Sequence, residues 1–260
     1  MSATAAPAAY GFRIEGAPGT PWLAVHGADR WPLLTIERDP EQPDGPFLQV
    51  DDDRLRATVR ADCSDDELLH PGLAWAPLLL AERRGIDALH AGAVLGHDGA
   101  WAFVGTKEAG KSTLLAHLAA VGAMVLTDDI VVFEGDDVLA GPRFVDLRPP
   151  AARRLAATAD VRGGTRSRVV LPPAPAAVPL AGFIHLSWGS ELALEPLRAP
   201  ARLERLHARR NQDGWPKHPP LLLDLAARPA YELRRPCRWE SLAASADALA
   251  GLLTLPAQAA

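Results

Sequence analysis

The chain has 260 residues, 48% of them hydrophobic, which suits one large α/β domain or two smaller ones. Its formal net charge of −5 argues against general nucleic-acid binding, and no run approaches the roughly 20 apolar residues that span a bilayer. The N-terminal residues lack the pattern of a secretory signal, and the cysteines Cys63 and Cys237 have no metal-type spacing. We therefore expect a cytoplasmic protein that binds neither nucleic acid nor membrane.

Residues 1–63 are predicted to form a small β-rich unit, and residues 64–260 the main domain. Short runs of alternating or β-type residues are separated by clusters of Gly, Pro and Asp. The predicted strands are Tyr10–Ile14, Trp22–His26, Leu33–Glu37, Phe47–Val50 and Leu55–Val59. We interpret this unit as a structural layer beside the main domain, with recognition of a peptide or protein substrate as the alternative.

The main domain is predicted to begin with helices and a β-hairpin. Helical signals cover residues 64–86, with a break at Pro71-Gly72. Ala88–Leu95 and Trp101–Val104 then have strand character, and Asp98-Gly99 between them is a two-residue turn signal. The second strand is therefore predicted to have an antiparallel partner directly upstream.

The hairpin leads into the main motif of the chain, G-x-x-x-x-G-K-S over residues 105–112. It fits the phosphate-binding P-loop pattern, and the run Thr113–Ala120 that follows is rich in helix formers. Backbone N–H groups and a helix N-terminus hold phosphate in such a loop. The predicted nucleotide-binding residues are Gly105, Thr106, Lys107, Glu108, Ala109, Gly110, Lys111, Ser112 and Thr113.

The side chains of the motif have distinct expected roles. Gly105 and Gly110 allow the backbone to approach phosphate closely. Lys111 neutralises the β- and γ-phosphates, and Ser112 offers its hydroxyl oxygen to Mg²⁺. The chain has three lysines against 24 arginines, and two of the three lie in this loop. ATP and Mg²⁺ are the expected cofactors, and a chance match on a glycine-containing turn is the alternative.

Two adjacent acids, Asp128 and Asp129, follow the next predicted strand, Ala123–Thr127. Asp128 lies 17 residues after Lys111, which leaves room for one helix and one loop, so we predict that the P-loop and the acids lie on adjacent strands. Phosphoryl transfer needs a base for the acceptor hydroxyl and a ligand for the metal, and two carboxylates at a turn can supply both. A solvated acidic turn or a helix cap is the alternative.

The second half of the chain is predicted to mix short strands with helices. The predicted strands are Ile130–Phe133, Phe144–Leu147, Arg168–Leu171, Leu180–Trp188, Leu192–Leu197 and Tyr231–Arg235. The predicted helices are Pro149–Thr158, Ala199–Asn211, Leu221–Ala227 and Trp239–Leu253. Leu180–Trp188 and Leu192–Leu197 could pair through Gly189-Ser190, and Tyr231–Arg235 could be an edge strand.

Five arginines after the acids are considered for phosphate contact: Arg143 and Arg148 flank a predicted strand, and Arg162, Arg166 and Arg168 surround Gly163-Gly164. A mobile glycine loop that carries the last three could close over the phosphates, with a solvated loop as the alternative. A further set shares one predicted helix face, which either is solvated or binds an acidic peptide or phosphate. It consists of Arg202, Arg205 and Arg209. The histidines other than His90 show no ligand spacing.

Residues 86–133 resemble the core of the HPr kinase/phosphorylase family, and more closely its shorter HPr-kinase-like members, some of which are encoded with peptide-modifying enzymes. The resemblance rests on His90, on Lys111 of the P-loop 21 residues later, and on the Asp128-Asp129 pair. It implies a fold like phosphoenolpyruvate carboxykinase, with the P-loop in a mixed α+β domain built on a mixed sheet. It also implies a tendency to oligomerise and ATP-dependent phosphorylation of a serine hydroxyl.

In the family, the residue matching Asp128 acts as the base and the one matching His90 lies beside the reacting phosphate. The chain departs from the family loop at Lys107 and Glu108, where Ser and Gly are usual. The carboxylate of Glu108 is unfavourable near a polyanion unless Lys107 or an arginine pairs with it.

The expected function is a Mg-ATP-dependent kinase that transfers the γ-phosphoryl group to a hydroxyl, most specifically a serine of a peptide or small protein such as a peptide natural-product precursor. The expected catalytic residues are Asp128, His90 and Lys111, and the expected metal ligands are Ser112 and Asp129. A non-catalytic nucleotide-binding accessory module, suggested by Glu108, and a small-molecule kinase are the alternatives.

Overall fold

The computed structural model describes residues 8–10, 12–15, 33–39, 48–51, 56–64, 68, 70, 73, 78, 88–155, 159–161, 165–210 and 219–254. The predicted strand Trp22–His26, most of the predicted helical stretch 64–86 and the Gly163-Gly164 loop lie outside these residues. None of the helices in the described part of the chain has the length and apolarity needed to cross a bilayer.

The strands fall into three sheets. The N-terminal strands are β1 (Ala8–Ala9), β2 (Phe12–Glu15), β3 (Leu33–Asp39), β4 (Leu48–Asp51) and β5 (Arg56–Arg60). The next are β6 (Ala88–Leu89), β7 (Ala91–Gly96), β8 (Gly99–Gly105), β9 (Val125–Thr127), β10 (Val131–Glu134) and β11 (Asp137–Leu139). The last are β12 (Phe144–Leu147), β13 (Ala159–Val161), β14 (Arg166–Val170), β15 (Ala177–Trp188), β16 (Ala193–Pro196) and β17 (Ala230–Arg235).

Five helices occur in the described part of the chain. They are α1 (Lys111–Ala120), α2 (Pro149–Arg154), α3 (Ala199–His207), α4 (Pro219–Ala227) and α5 (Ser241–Leu249). Each overlaps a predicted helix or the predicted run after the P-loop. The helices α1 and α4 begin two residues before the predicted runs, whereas α2, α3 and α5 end before the predicted C-terminal residues.

The main sheet has nine strands of mixed direction, which confirms the predicted mixed α+β class. Its central order is β6-β10-β11-β15-β8-β7-β9, with β17 paired to β15 and β16 paired to β17. The predicted hairpin is confirmed, because β7 and β8 are antiparallel with Gly96 opposite Gly99, but its two-residue turn is His97-Asp98 and not the predicted Asp98-Gly99. In contrast, β8, β15 and β17 run parallel to one another.

Three topological predictions are wrong. The P-loop strand β8 and the acid strand β9 are not adjacent, because β7 lies between them and is antiparallel to both. The strand β16 does not pair with β15 across Gly189-Ser190 but with β17. The strand β17 is therefore not an edge strand. In both latter cases the long strand β15 takes a distant parallel partner in preference to its sequence neighbour.

Apolar clusters cover both faces of the main sheet. On one face, Phe103 of β8 and Ile184 of β15 pack with Leu114 and Leu115 of α1. On the other face, Val104 and Phe183 pack with residues of α3 and α4. Because neighbouring residues of a strand point to opposite faces, one strand supplies both clusters.

The site described below lies at one edge of this sheet. Since β9, β8, β15 and β17 run in the same direction, their carboxyl ends meet there. The antiparallel strand β7 begins where its neighbours end, so His90, just before it, is at the same edge. Ligands of α/β sheets bind outside the carboxyl ends of the strands.

The N-terminal and third sheets flank this arrangement. The five N-terminal strands have the order β1-β2-β3-β5-β4, and β12-β14-β13 form a separate three-stranded sheet. Tyr10, just after β1, is buried against the main domain, where its N–H donates to the carbonyl of Ala140 at 2.6 Å. The N-terminal unit therefore makes a direct contact with the main domain.

Candidate active site

The P-loop has the compact turn that the motif predicts. The chain leaves β8 at Gly105, and the N–H of Ala109 donates to the carbonyl of Thr106 at 3.1 Å. Gly110 has φ 77° and precedes α1, so it occupies the left-handed region where glycine is favoured. A β-carbon at Gly110 would lie 2.7 Å from Nη2 of Arg235, so the position also has no room for a larger side chain.

Lys111 is buried at the start of α1, and its ammonium group is held by the loop itself. Its Nζ donates to the carbonyls of Gly105 at 3.0 Å and Thr106 at 3.5 Å. Burial lowers the pKa of Lys111, while the nearby carboxyl of Asp128 acts in the opposite direction. A buried ammonium with only carbonyl partners in a P-loop is well placed for an anionic ligand.

Glu108, the departure from the family loop, has both an unusual backbone and a partner. Its φ is 69°, in the region that glycine adopts without strain. Its Oε1 accepts a hydrogen bond from Nη1 of Arg148 at 2.9 Å, and both side chains are exposed. Arg148 therefore pairs with the Glu108 carboxylate, and such a pair makes its negative charge less unfavourable near bound phosphates.

Trp188 and Arg235, at the carboxyl ends of β15 and β17, clamp the P-loop from the side. Nη2 of Arg235 donates to the carbonyls of Ala109 at 3.1 Å and Gly110 at 3.2 Å. Nε1 of Trp188 donates to the carbonyl of Glu108 at 3.2 Å. The Arg235 guanidinium also lies 4.5 Å from the Trp188 ring centroid, and burial lowers the pKa of Arg235 to about 10.

The two acids are presented by a tight three-residue turn. The N–H of Ile130 donates to the carbonyl of Asp128 at 3.0 Å, and the central residue Asp129 has φ 73°. Thr127 fixes this turn from below, because its Oγ1 donates to the carbonyl of Ile130 at 2.8 Å and lies 3.4 Å from the Tyr10 hydroxyl. The turn lets both carboxylates face one cavity, as the sequence argument required.

Asp128 is hydrogen-bonded to the P-loop serine, Ser112. Oγ of Ser112 donates to Oδ1 of Asp128 at 3.2 Å. Burial, and to a smaller extent the charge of Asp129, raise the pKa of Asp128 to about 7, while the Ser112 bond and Lys111 oppose the shift. The Asp128 carboxyl therefore takes up a proton more readily than an ordinary aspartate.

Asp129 lies between two histidines. Nδ1 of His90 is 3.4 Å from its Oδ1, and Nε2 of His70 is 3.6 Å from its Oδ2. Burial and the positive charge of Lys111 lower the pKa of His90, so its ring is largely neutral at pH 7. His70 was not selected from the sequence, because its distance of 59 residues from Asp129 gives no motif.

The arginine predictions divide into two groups. Arg143 is fully buried and donates to the carbonyls of Leu126 at 2.8 Å and Pro172 at 2.7 Å, so it supports the acid strand and is not available to phosphate. Arg168 forms a buried pair with Asp146, with Nε 2.7 Å from Oδ1. Arg148 and Arg166 line the cavity, and Arg162 lies outside the described residues.

The predicted arginine face of α3 largely packs against protein. Nε of Arg202 donates to the carbonyl of Leu197 at 2.7 Å, and Nη2 of Arg205 donates to Oε2 of Glu232 at 3.1 Å. These contacts fasten α3 to the main sheet, so neither a solvated face nor an anion site describes Arg202 and Arg205.

One cavity of about 1090 Å³ brings these groups together. Its lining includes the P-loop, both acids, both histidines and the clamp: Lys107, Glu108, Gly110, Lys111, Ser112, Thr113, Asp128, Asp129, His70, His90, Tyr10, Trp188 and Arg235. Sequence reasoning missed Tyr10, His70, Trp188 and Arg235. The only available signal was that the last two lie at the ends of predicted strands.

No family model matches the chain, and no curated protein sequence matches it. Among solved structures, the chain is similar to the Hpr(Ser) kinase/phosphatase from Coxiella burnetii, with a TM-score of 0.31 and 11% identity over 61% of this chain and 91% of that chain.

Proposed function

We propose that the protein is a Mg-ATP-dependent phosphotransferase that passes the γ-phosphoryl group to a hydroxyl, specifically a serine of a peptide or small protein. The observation that carries the proposal is the arrangement at one cavity of a P-loop lysine, an acid bonded to the P-loop serine, and a second acid beside His90. This set covers the needs of phosphoryl transfer: phosphate binding, charge neutralisation and alignment of an acceptor.

The phosphate-binding part is the P-loop between Gly105 and Ser112. The N-terminus of α1 and the loop amides supply hydrogen-bond donors, and the Lys111 ammonium supplies the charge. The cavity of about 1090 Å³ is slightly larger than the range of roughly 300–1,000 Å³ typical of small-molecule sites, so it has room for a nucleoside triphosphate.

The residues present also fit Mg²⁺. Ser112 Oγ and Asp128 Oδ1 are 3.2 Å apart, close to the separation of neighbouring ligands in an octahedral shell with bonds of about 2.1 Å. Among the described residues no group of three or more His, Cys, Asp or Glu forms a metal cage. This agrees with Mg²⁺ chemistry in kinases, where phosphate oxygens and water complete the shell and the cation neutralises developing charge.

The acceptor side is formed by Asp129 and His90. The resemblance gives Asp128 the role of base, and the sequence argument left Asp129 as the metal ligand, but the contacts favour the reverse division. Asp128 is engaged with Ser112, whereas Asp129 is 38% exposed in its side chain and is free of that bond. We propose that Asp129 accepts the hydroxyl proton, with the neutral ring of His90 orienting the carboxylate.

The test uses γ-labelled ATP with Mg²⁺ and serine-containing peptides or small proteins encoded beside the gene. We expect label on serine with the wild-type protein, none with Lys111→Ala, and undiminished transfer with the exposed control Asp224→Asn. ATP binding without transfer to any acceptor would favour the accessory-module alternative. Transfer to a small metabolite alone would favour the small-molecule kinase. Intact ATP binding in Lys111→Ala would refute the P-loop assignment.

A further inference from the structure

Trp188 is an exposed aromatic residue that no step of the proposed transfer uses. It ends β15, lines the cavity and is 41% exposed, although large aromatic side chains tend to be mostly buried. Its ring cannot turn freely, because Nε1 is bonded to the carbonyl of Glu108 at 3.2 Å and one face carries the Arg235 guanidinium 4.5 Å from the ring centroid. The ring is therefore fixed in place before any ligand arrives.

The sheet order shows on which side of the phosphates this ring lies. From β8, the strand that carries the P-loop, the acids are two strands away in one direction, beyond β7. Trp188 is at the end of the adjacent strand β15 in the other direction, and Arg235 is one strand further. With neighbouring strands about 4.8 Å apart, the acids and Trp188 lie on opposite sides of the loop.

A nucleoside triphosphate bound with its γ-phosphate toward the acids must extend its remaining atoms away from them. The acceptor needs the side with Asp129 and His90, so the nucleoside is left with the side of Trp188. Stacking on an aromatic face is a common way to hold a base, and it needs no polar contact to the base edge.

We propose that Trp188, held by Arg235 and the P-loop backbone, is the stacking platform for the base of the nucleoside triphosphate. The proposal rests on the proposed function, since it assumes that the P-loop binds a nucleotide. It goes further by assigning a base subsite and by predicting that the protein discriminates ATP from inorganic tripolyphosphate through one residue.

The test compares dissociation constants for Mg-ATP and Mg-tripolyphosphate by calorimetry. For the wild-type protein we expect ATP to bind more tightly than tripolyphosphate. In Trp188→Ala the affinity for ATP should fall by about 5- to 100-fold, the range expected for one lost stacking contact, while tripolyphosphate should change by less than about twofold. Trp188→Phe keeps a stacking ring and removes the N–H bond to Glu108, so it should retain most of the discrimination.

Each other outcome counts against a stated part of the argument. If both ligands weaken equally in Trp188→Ala, the ring only supports the loop and the platform is refuted. The platform is also refuted if Trp239→Phe and Trp239→Ala, at the other exposed tryptophan of the cavity, remove the discrimination and the Trp188 variants do not. Equal binding of ATP and tripolyphosphate by the wild-type protein refutes the platform and leaves the proposed function standing. Binding of neither ligand refutes the proposed function itself.

Discussion

Ser112 and Asp128 are joined by a hydrogen bond of 3.2 Å from Oγ to Oδ1, although β7 lies between the P-loop strand β8 and the acid strand β9. Ser112 is the second residue of α1, and this helix packs against β7 and β9, so its first turn lies close to the end of β9. The two oxygens form the pair to which we assign Mg²⁺, whereas Asp129 faces His90.

This division predicts different defects for the two acids. Asp128→Asn should raise the Mg²⁺ concentration needed for half-maximal transfer by at least about tenfold, because it removes a charged metal ligand. Asp129→Asn should lower kcat by at least about 100-fold at saturating Mg²⁺, because it removes the base. Initial rates over a Mg²⁺ titration separate the two effects. The reverse pattern would restore Asp128 as the base.

Replacing Glu108 by glycine should strengthen nucleotide binding. The substitution removes a carboxylate near the phosphates, releases Arg148, and relieves a left-handed backbone conformation that costs a non-glycine residue about 1 kcal/mol. Glu108→Gln removes the charge and keeps the side chain, so it should lower the Kd for ATP without the gain in thermal stability. Calorimetry and melting curves measure both. A higher Kd in both variants would show that the carboxylate assists binding.

Arg143 should matter for stability and not for phosphate contact. Arg143→Met removes the guanidinium hydrogen bonds to the carbonyls of Val125, Leu126 and Pro172, of which that of Leu126 keeps the N–H of Gly141, so we expect a loss of about 3–5 kcal/mol in the free energy of unfolding. The exposed Arg153 on α2 gives the matched control Arg153→Met, which should change it by less than about 0.5 kcal/mol. Urea denaturation measures the free energy of unfolding of both variants. Unchanged stability with lost ATP binding would return Arg143 to the list of phosphate ligands.

His185 should make the fold acid-sensitive. It is 3% exposed on β15, and burial, with help from Arg205, lowers its pKa from 6.5 to about 4. Below pH 6.5 the His185 ring gains a proton in the unfolded chain but stays neutral in the folded chain. The free energy of unfolding therefore decreases between about pH 6.5 and 4. Between pH 7 and pH 5 this effect of His185 lowers the free energy of unfolding by about 2 kcal/mol.

The measurement for His185 is urea unfolding of the wild-type protein, His185→Gln and the exposed control His97→Gln at both pH values. His185→Gln should lose that part of the pH dependence, and His97→Gln should keep it. An equal pH dependence for all three proteins would show that folding does not lower the pKa of His185.

The sequence predicted those parts of the molecule that depend on neighbouring residues. The hairpin of β7 and β8, the loop at 105–112 and the acids at 128–129 are each fixed by turn residues and apolar runs only a few positions long. Strand order was not predictable in this way, because β15 pairs with β8, β11 and β17, which lie far from it in the chain. The burial of Arg143 and Arg168 was also not predictable from the sequence. Arg143 donates to backbone carbonyls and Arg168 pairs with Asp146, and only the tertiary fold brings these partners together.

The reversed direction of β7 has a consequence for how the site forms during synthesis. Because a two-residue turn suffices for antiparallel strands, His90, the P-loop and both acids come from 40 consecutive residues, and their contacts are local in sequence. The bonds from Trp188 and Arg235 to the loop span 80 and 126 residues. A growing chain can thus bring its reactive groups together well before Trp188 and Arg235 contact the P-loop. Those contacts are complete only when β17 has left the ribosome.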